Sequence, residues 1–185
     1  ESLAAFVGLS GGELAVLQLH LGEMRTLVQR PSFAIERLEK LQDRVVVQWS
    51  DGLLQAWDIA KEKVAWEWKA PAKKLDLAVA LRVPRLAVGC SDGVLRILDG
   101  RRGKEIRRID VDESRCSMAL HPLGTAVGVF GPGRTARFLS LEDDGQALAE
   151  ITARADISAA AFSTTGQHVV FATVFGGLEE VNLDS

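Results

Sequence analysis

The chain has 185 residues, of which 47 % are hydrophobic and 25 % are charged, and this composition excludes a disordered, collagen-like or coiled-coil protein. Because 22 lysines and arginines oppose 25 aspartates and glutamates, the net charge of −3 gives no general basic field for nucleic acid or an anionic membrane. The two cysteines are too few for a disulfide framework, and the spacing of Cys90 and Cys116 matches no metal-binding motif.

The first residues form an apolar run, Leu3 to Leu9, which lacks the basic region and long apolar core of a signal peptide. No apolar stretch approaches the ~18 residues that cross a bilayer, so we predict no membrane contact. Cys90 and Cys116 lie within predicted strands and are expected to be buried, reduced thiols, which favours the cytoplasm. We also interpret the start without methionine as a sign that the sequence is part of a longer protein.

An apolar run, a glycine-containing turn and a second apolar run recur five times. The last glycines of the turns are 40, 41, 40 and 44 residues apart, at Gly12, Gly52, Gly93, Gly133 and Gly177. The runs before most turns are rich in Val, Ala and Phe, which is typical of strands buried on both faces. Residues 33–41 have a weak helical period, but we favour a strand there. The predicted repeat units span residues 1–30, 31–71, 72–112, 113–154 and 155–185.

Four short antiparallel strands in about 40 residues are typical of one blade of a β-propeller. Ser-Asp-Gly at residues 50–52 and 91–93, then an apolar strand ending in Trp57-Asp58 or Leu98-Asp99, resembles the repeat of the WD40 family over essentially the whole chain. The resemblance implies that side chains at these positions stiffen each blade, namely Asp51, Asp92, Trp57, Asp58 and Asp99. The repeats are degenerate, because no Gly-His pair precedes any unit.

We therefore predict an all-β fold in which residues 1–185 form a single partial β-propeller domain with about four and a half blades. Propellers close with whole blades. The missing blades of a larger, seven-bladed ring are expected to come from the rest of a longer chain or from a partner subunit.

Catalytic residues are not evident in the sequence. The histidines, His20, His121 and His168, occupy unrelated positions in the repeat, and no converging set of metal ligands or nucleophile motif accompanies them. We predict no enzyme activity, no cofactor and no bound metal.

Three groups of residues are candidates for partner binding. Trp66 and Trp68 lie on one face of a predicted strand, either as an exposed anchor or, as we favour, packed against the adjoining unit. A cationic cluster contains Arg101 and Arg102, which either contact acidic protein or RNA backbone or, as we favour, are neutralised by the acidic residues that follow. The WD40 resemblance places a third group on the rim that holds peptides, with solvated loop charges as the alternative; it contains Lys73, Lys74 and Arg134.

The predicted function is a non-enzymatic scaffold for protein–protein interaction within a larger protein or complex, binding other proteins through strand connections. Two alternatives stay open: a structural subunit that closes a propeller with a partner chain, and a non-catalytic part of an enzyme or cofactor-bearing propeller. Nucleic acid is not favoured as a partner.

Overall fold

The computed structural model describes residues 4–71, 75–111, 117–131, 133–143 and 145–183. These residues form 18 β-strands and no helix. Consequently, the described part of the chain has no helix that is able to span a membrane. The chain divides into two compact units, Glu1–Lys73 and Lys74–Ser185.

The first unit contains two antiparallel sheets in which each strand pairs with its neighbour in the chain. The three-stranded sheet consists of β1 (Ala4–Leu9), β2 (Glu13–Gln18) and β3 (Glu23–Gln29). The four-stranded sheet consists of β4 (Ile35–Leu41), β5 (Arg44–Trp49), β6 (Leu53–Asp58) and β7 (Lys63–Lys69). The strand β4 confirms the preference for strand over helix at residues 33–41.

The second unit contains three antiparallel sheets of the same kind. The first consists of β8 (Leu75–Val79), β9 (Arg85–Cys90), β10 (Val94–Asp99) and β11 (Lys104–Asp110). The second consists of β12 (Ser117–Leu120), β13 (Ala126–Phe130), β14 (Thr135–Ser140) and β15 (Ala147–Thr152). The third consists of β16 (Ile157–Phe162), β17 (His168–Thr173) and β18 (Leu178–Asn182).

The β-propeller prediction is wrong, although its all-β part is correct. The described residues form five separate antiparallel sheets of three or four strands, and none of these sheets is closed. The predicted four and a half blades and the seven-bladed ring are therefore wrong as well. The fold is a multi-sheet all-β architecture. The physical reason is that turns and hydrophobic alternation fix pairing and register within a hairpin, whereas the arrangement of whole sheets depends on packing between them.

Each unit has its own apolar core. In the first unit, Trp49 and Val47 are fully buried in a cluster that also contains Leu14 of the three-stranded sheet. In the second unit, side chains from β9 and β10 pack against those of β13 and β14. The opposite face of β13 and β14 packs on the third sheet, where Phe138 contacts Phe171 edge to face. The strands β5, β9 and β13, which each precede a repeated turn, are buried on both faces, as their composition predicts.

Candidate protein-interaction surface

The repeated turn aspartates fix the turns between β5 and β6 and between β9 and β10. Asp51 Oδ1 accepts the N–H of Leu53 at 3.2 Å, and Asp92 Oδ1 accepts that of Val94 at the same distance. The following glycines, Gly52 and Gly93, have φ values of +83° and +77°, a conformation that favours glycine. The two aspartates thus support equivalent turns in two repeats, in keeping with the stabilising role expected of them.

The same two aspartates bind arginines that come from different places in the sequence. The Arg30 guanidinium, from the connection between β3 and β4, donates to both oxygens of Asp51, at 3.3 and 3.0 Å. Arg96, inside β10, donates to both oxygens of Asp92, at 3.0 and 2.6 Å. Burial raises the pKa of Asp51, but hydrogen bonds from Arg30 and Lys69 outweigh it and hold the pKa well below its usual range.

Asp58 and Asp99 cap the turns that follow β6 and β10. Asp58 Oδ1 accepts the N–H of Lys61 at 2.9 Å, and this bond lowers the pKa of Asp58. Asp99 Oδ1 accepts the N–H groups of Arg101 and Arg102, at 2.7 and 3.1 Å. Both carboxylates therefore satisfy backbone donors at the start of a hairpin turn.

The indole of Trp57 differs from that of Trp49 in its hydrogen bonding. Trp57 is buried, but its Nε1–H has no hydrogen-bond partner among the described residues. Trp49 instead donates from Nε1 to Gln55 Oε1 at 2.9 Å, and Gln55 Nε2 donates to Glu67 Oε1 at 2.6 Å. The polar side chain at the third position of β6 thus binds the indole that precedes the turn.

Three of the other partner-binding candidates, Trp66, Trp68 and Arg134, lie within the described residues. Trp66 is buried and Trp68 is half-buried, so the packing interpretation fits this pair better than an exposed anchor. Arg134 is exposed before β14. Lys73, Lys74 and Cys116 lie outside the described residues.

Arg101 and Arg102 are exposed and belong to a group of neighbouring turns in the second unit. The turn after β10 contacts the β8–β9 connection, because Gly100 N donates to Pro84 O at 2.8 Å. That connection also contacts the β12–β13 turn, because Arg82 N donates to Pro122 O at 2.9 Å. Three connections that are distant in sequence are therefore joined by backbone hydrogen bonds.

Side chains on these turns form what we call the basic face. Its members are Leu81, Arg82, Arg85, Arg101, Arg102 and Leu123. Residues 80–85, 99–104 and 121–125 contain four arginines and Lys104, against a single carboxylate, Asp99, which already accepts the two backbone N–H groups of its turn. Basic side chains therefore outnumber acidic ones on these turns, although the chain as a whole has a net charge of −3.

Two leucines on the basic face are exposed. Leu81 has 62 % of its surface accessible and Leu123 has 46 %. The turn that carries Leu123 is fixed by Arg85, whose Nη1 donates to Gly124 O at 2.5 Å. Gly124 has a φ of +66°, and a Cβ atom there would lie 2.9 Å from Arg85 Cδ. The turn therefore requires glycine and presents Leu123 on a fixed backbone.

Carboxylates border the basic face at one side. Leu141 N donates to Thr125 O at 2.8 Å, which places the exposed Glu142 and Asp143 next to the β12–β13 turn. Their backbone N–H groups donate to Ser140 Oγ, at 3.1 and 3.0 Å. The basic face therefore has an acidic margin that limits it on the side of β14 and β15.

A small cleft of about 100 Å³ lies elsewhere in the second unit. Its lining is apolar apart from two charged side chains and consists of Ile109, Asp110, Val111, Val129, Arg137, Leu139 and Gly145. Arg137 Nε is paired with Glu150 Oε2 at 3.1 Å. Because Asp110 and Arg137 place charges of both signs at the cleft, its lining does not favour one class of ligand. We therefore assign no ligand to this cleft.

Metal-binding side chains are not grouped in the described segments. These segments contain no set of three or more His, Cys, Asp or Glu side chains that is placed to hold a metal ion. Cys90 is buried, and this burial raises the pKa of its thiol. His121 packs edge to face on Phe162, with 5.4 Å between the ring centroids.

Sequence reasoning missed four members of the basic face: Leu81, Arg82, Arg85 and Leu123. They lie in two connections that are about 40 residues apart, and only the fold brings them together. The sequence does contain a signal for this surface. Residues 81–85, which lead into β9, include two arginines and no acidic residue. Cations stand out in the sequence only where they are dense, as at residues 101–108.

No family model matches the chain, and no curated protein matches it either. Among solved structures, it is similar to the crystal structure of the computationally designed Ika8 protein, with a TM-score of 0.79 and 19 % sequence identity. The match covers 99 % of this chain but only 56 % of Ika8. At this identity the likeness concerns the fold alone. The WD40 resemblance stays an interpretation of the sequence, and no family is shown.

Proposed function

We propose that this chain is a non-enzymatic scaffold that binds other proteins, and that the basic face is the surface through which it does so. The observation that supports this proposal is the basic face itself: four arginines and two exposed leucines on three turns that hydrogen bonds hold together. Arginine is enriched at surfaces that bind a protein partner, and the exposed leucines add apolar surface that a partner can bury.

The rigidity of these turns also supports the proposal. The backbone of residues 80–85 is closed by a hydrogen bond from Ala80 N to Arg85 O at 2.9 Å. Gly103 N donates to Asp99 O at 2.8 Å and closes the turn that carries Arg101 and Arg102. A surface that is already ordered loses little conformational entropy on binding, which favours affinity.

The proposal is tested by affinity capture from cells that produce the protein, followed by quantitative mass spectrometry. Three baits are compared: the unchanged chain, a charge-reversed Arg101→Glu/Arg102→Glu variant, and Arg134→Glu as a matched control. Arg134 is an exposed arginine of the same unit outside the basic face. Proteins retained by the unchanged chain and the control, but lost from the charge-reversed variant, are the expected result.

Two measurements make the comparison decisive. Circular dichroism and thermal melting establish that each bait is folded, because exposed charge changes alter stability only slightly. An identical set of captured proteins for all three folded baits contradicts a role for the basic face.

A further inference from the structure

We infer that the free edge of the third sheet of the second unit binds an extended segment of another protein, which adds to β18 as a fourth antiparallel strand. Within the described residues, β18 pairs only with β17 and is the last strand of its sheet. An unpaired strand edge presents backbone N–H and C=O groups that an extended peptide is able to pair. The edge contains no residue of the basic face and is a second surface for protein binding.

Three other sheets show what lies beside a strand in this position. β6, β10 and β14 each pair on one side with the preceding strand and on the other side with an antiparallel fourth strand, β7, β11 or β15. The turn before β18 has the same form as two of theirs. Gly176 N donates to the carbonyl three residues earlier at 3.0 Å, as Gly52 N and Gly93 N do at 2.9 and 3.2 Å. Gly176 therefore corresponds to Gly52 and Gly93.

The carbonyl groups of these turn glycines accept bonds from the end of the fourth strand. Gly52 O accepts Ala70 N at 3.0 Å, and Gly93 O accepts Val111 N at 2.8 Å. No N–H group among the described residues donates to Gly176 O. The acceptor that ends each complete pairing is thus open in the third sheet.

The backbone of β18 offers further groups along the same edge. Thr173 N donates to Gly177 O at 2.9 Å, so Gly177 directs its backbone groups towards β17. Alternate residues of an antiparallel strand direct these groups to opposite sides. Leu178 and Glu180 therefore present their N–H and C=O groups at the open edge.

Large apolar side chains lie opposite the residues that correspond to Leu178. Leu54 pairs with Trp68, and Leu95 pairs with Ile109. Leu54 and Leu95 are fully buried, whereas Leu178 has 76 % of its surface accessible. An incoming strand with a large apolar residue at this position covers Leu178 and removes apolar surface from water.

The turn that leads into β18 adds an exposed aromatic side chain. Phe175 has 88 % of its surface accessible, although Asp51 and Asp92, at the corresponding position of the other turns, bind backbone N–H groups. The turn is held in place because Val174 N donates to Asp156 O at 2.9 Å. An aromatic side chain on a fixed turn beside an open edge is suited to anchor a partner.

Charge favours a basic strand over a second copy of β18. Glu179 and Glu180 lie on β18, so two copies paired through this edge would bring their carboxylates together. Both carboxylates already have contacts: Glu179 accepts Arg154 N at 3.0 Å, and Glu180 Oε1 lies 2.9 Å from His168 Nδ1. The backbone groups and Leu178 therefore provide the pairing, and basic residues on the incoming strand add cross-strand attraction.

Fluorescence anisotropy with a labelled peptide tests the inference on the full chain. The probe has the sequence of residues 104–111, Lys-Glu-Ile-Arg-Arg-Ile-Asp-Val, with blocked ends. In the register of β10 and β11, its second isoleucine lies opposite Leu178, and its two arginines lie opposite Glu179 and Glu180. N-methylation of that isoleucine and of the valine removes two N–H groups that bond to the edge. N-methylation of the aspartate between them, whose N–H points away, is the matched control.

Two protein variants accompany the peptides. Leu178→Ser removes the apolar contact, and Leu148→Ser changes an exposed leucine on β15 as a control. We expect the peptide to bind the unchanged chain and Leu148→Ser equally, and Leu178→Ser about tenfold more weakly. The peptide methylated at isoleucine and valine should lose binding, and the control peptide should keep it. Hydrogen exchange at the amides of Leu178 and Glu180 should slow when the peptide is bound.

Three results would overturn the inference. The first is the absence of peptide binding, and the second is equal binding of the two methylated peptides, because no strand is then added. The third is a dimer of the unchanged chain in sedimentation that Leu178→Ser abolishes, which assigns the edge to a second copy. Circular dichroism shows that each variant is folded. The proposed function is judged separately, by the capture experiment with Arg101 and Arg102.

Discussion

The imidazole of His121 fills the space that a side chain at Gly166 would need. A Cβ atom at Gly166 would lie 1.8 Å from His121 Nε2, and Gly166 has a φ of +86°. Because His121 precedes the β12–β13 turn and Gly166 lies between β16 and β17, the contact joins the second and third sheets of the second unit. The close approach is possible only because residue 166 has no side chain.

Gly166→Ala is accordingly expected to destabilise the second unit by more than a positive φ alone explains. Gly176 is a matched control, since its φ is +80° and no atom lies within 4 Å of the Cβ position. Gly176→Ala should cost about 1 kcal/mol for the left-handed backbone, and Gly166→Ala about 2 kcal/mol more for the clash. Urea unfolding measures both variants. Equal losses of unfolding free energy in the two variants would show that His121 moves away from residue 166 at no energetic cost.

The free energy of unfolding should decrease in mildly acidic solution because the buried His121 resists protonation in the folded protein. Burial lowers the pKa of His121 below 6.5, so the unfolded chain takes up this proton more readily than the folded protein. The folded state is favoured while the pH stays above 6.5 and loses that advantage as the pH falls towards the lower, folded pKa. A proton on Nδ1 would also oppose the N–H of Leu123, which now donates to Nδ1 at 3.3 Å.

The measurement for His121 is the melting temperature as a function of pH for the unchanged chain and for His121→Gln. Glutamine keeps an acceptor near Leu123 but does not titrate, so the variant should show a flatter profile below pH 6.5. Parallel profiles for the two proteins would assign the acid sensitivity to other groups.

Local structure was predictable from the sequence to a large extent. The Val- and Ala-rich runs at residues 44–49 and 85–90 became β5 and β9 because each is apolar on both faces and ends at a turn. Asp58 and Asp99 were singled out by their place at strand ends, where each now caps a turn. These features depend on contacts within a few residues, and a local pattern is sufficient to predict them.

The arrangement of the sheets relative to one another within a unit was not predictable from such local patterns. The propeller prediction was wrong because a 40-residue period in the sequence does not determine how one sheet packs on the next. The basic face was missed because Arg82 and Leu123 are far apart in the chain and adjacent only through the Arg82–Pro122 contact. The exposure of Leu81 is likewise a tertiary property, since leucines such as Leu86 and Leu95 are fully buried in the same sheet.

Two of the buried tryptophans of the first unit, Trp49 and Trp57, should respond differently to substitution by phenylalanine. Trp49→Phe removes the donor to Gln55 Oε1 and leaves that buried oxygen unpaired, which should cost about 2 kcal/mol beyond the lost packing. Trp57→Phe removes an N–H that has no partner among the described residues, so only packing is lost. Urea unfolding of both variants is the test, and a larger loss at Trp57 would contradict this assignment.

Asp51 should stabilise the first unit through its ion pairs rather than through its turn. Asp51→Asn keeps an oxygen for the N–H of Leu53 but loses the bonds from Arg30 and from Lys69, whose Nζ lies 2.7 Å from Oδ2. Hydrogen bonds to charged groups contribute about 2 kcal/mol, so a loss of that order is expected near neutral pH. Asp58→Asn, in an exposed turn, is the control, and it should lose less unfolding free energy than Asp51→Asn.

The pH dependence separates the two possible roles of Asp51. The folded pKa of Asp51 is depressed by Arg30 and Lys69, so its contribution is present above pH 3.8 and disappears as the pH falls below that value towards the folded pKa. The unfolding free energies of Asp51→Asn and the unchanged chain should therefore differ at neutral pH and converge in acid. A difference that persists unchanged in acid would mean that the carboxylate acts through the shape of the turn and not through its charge.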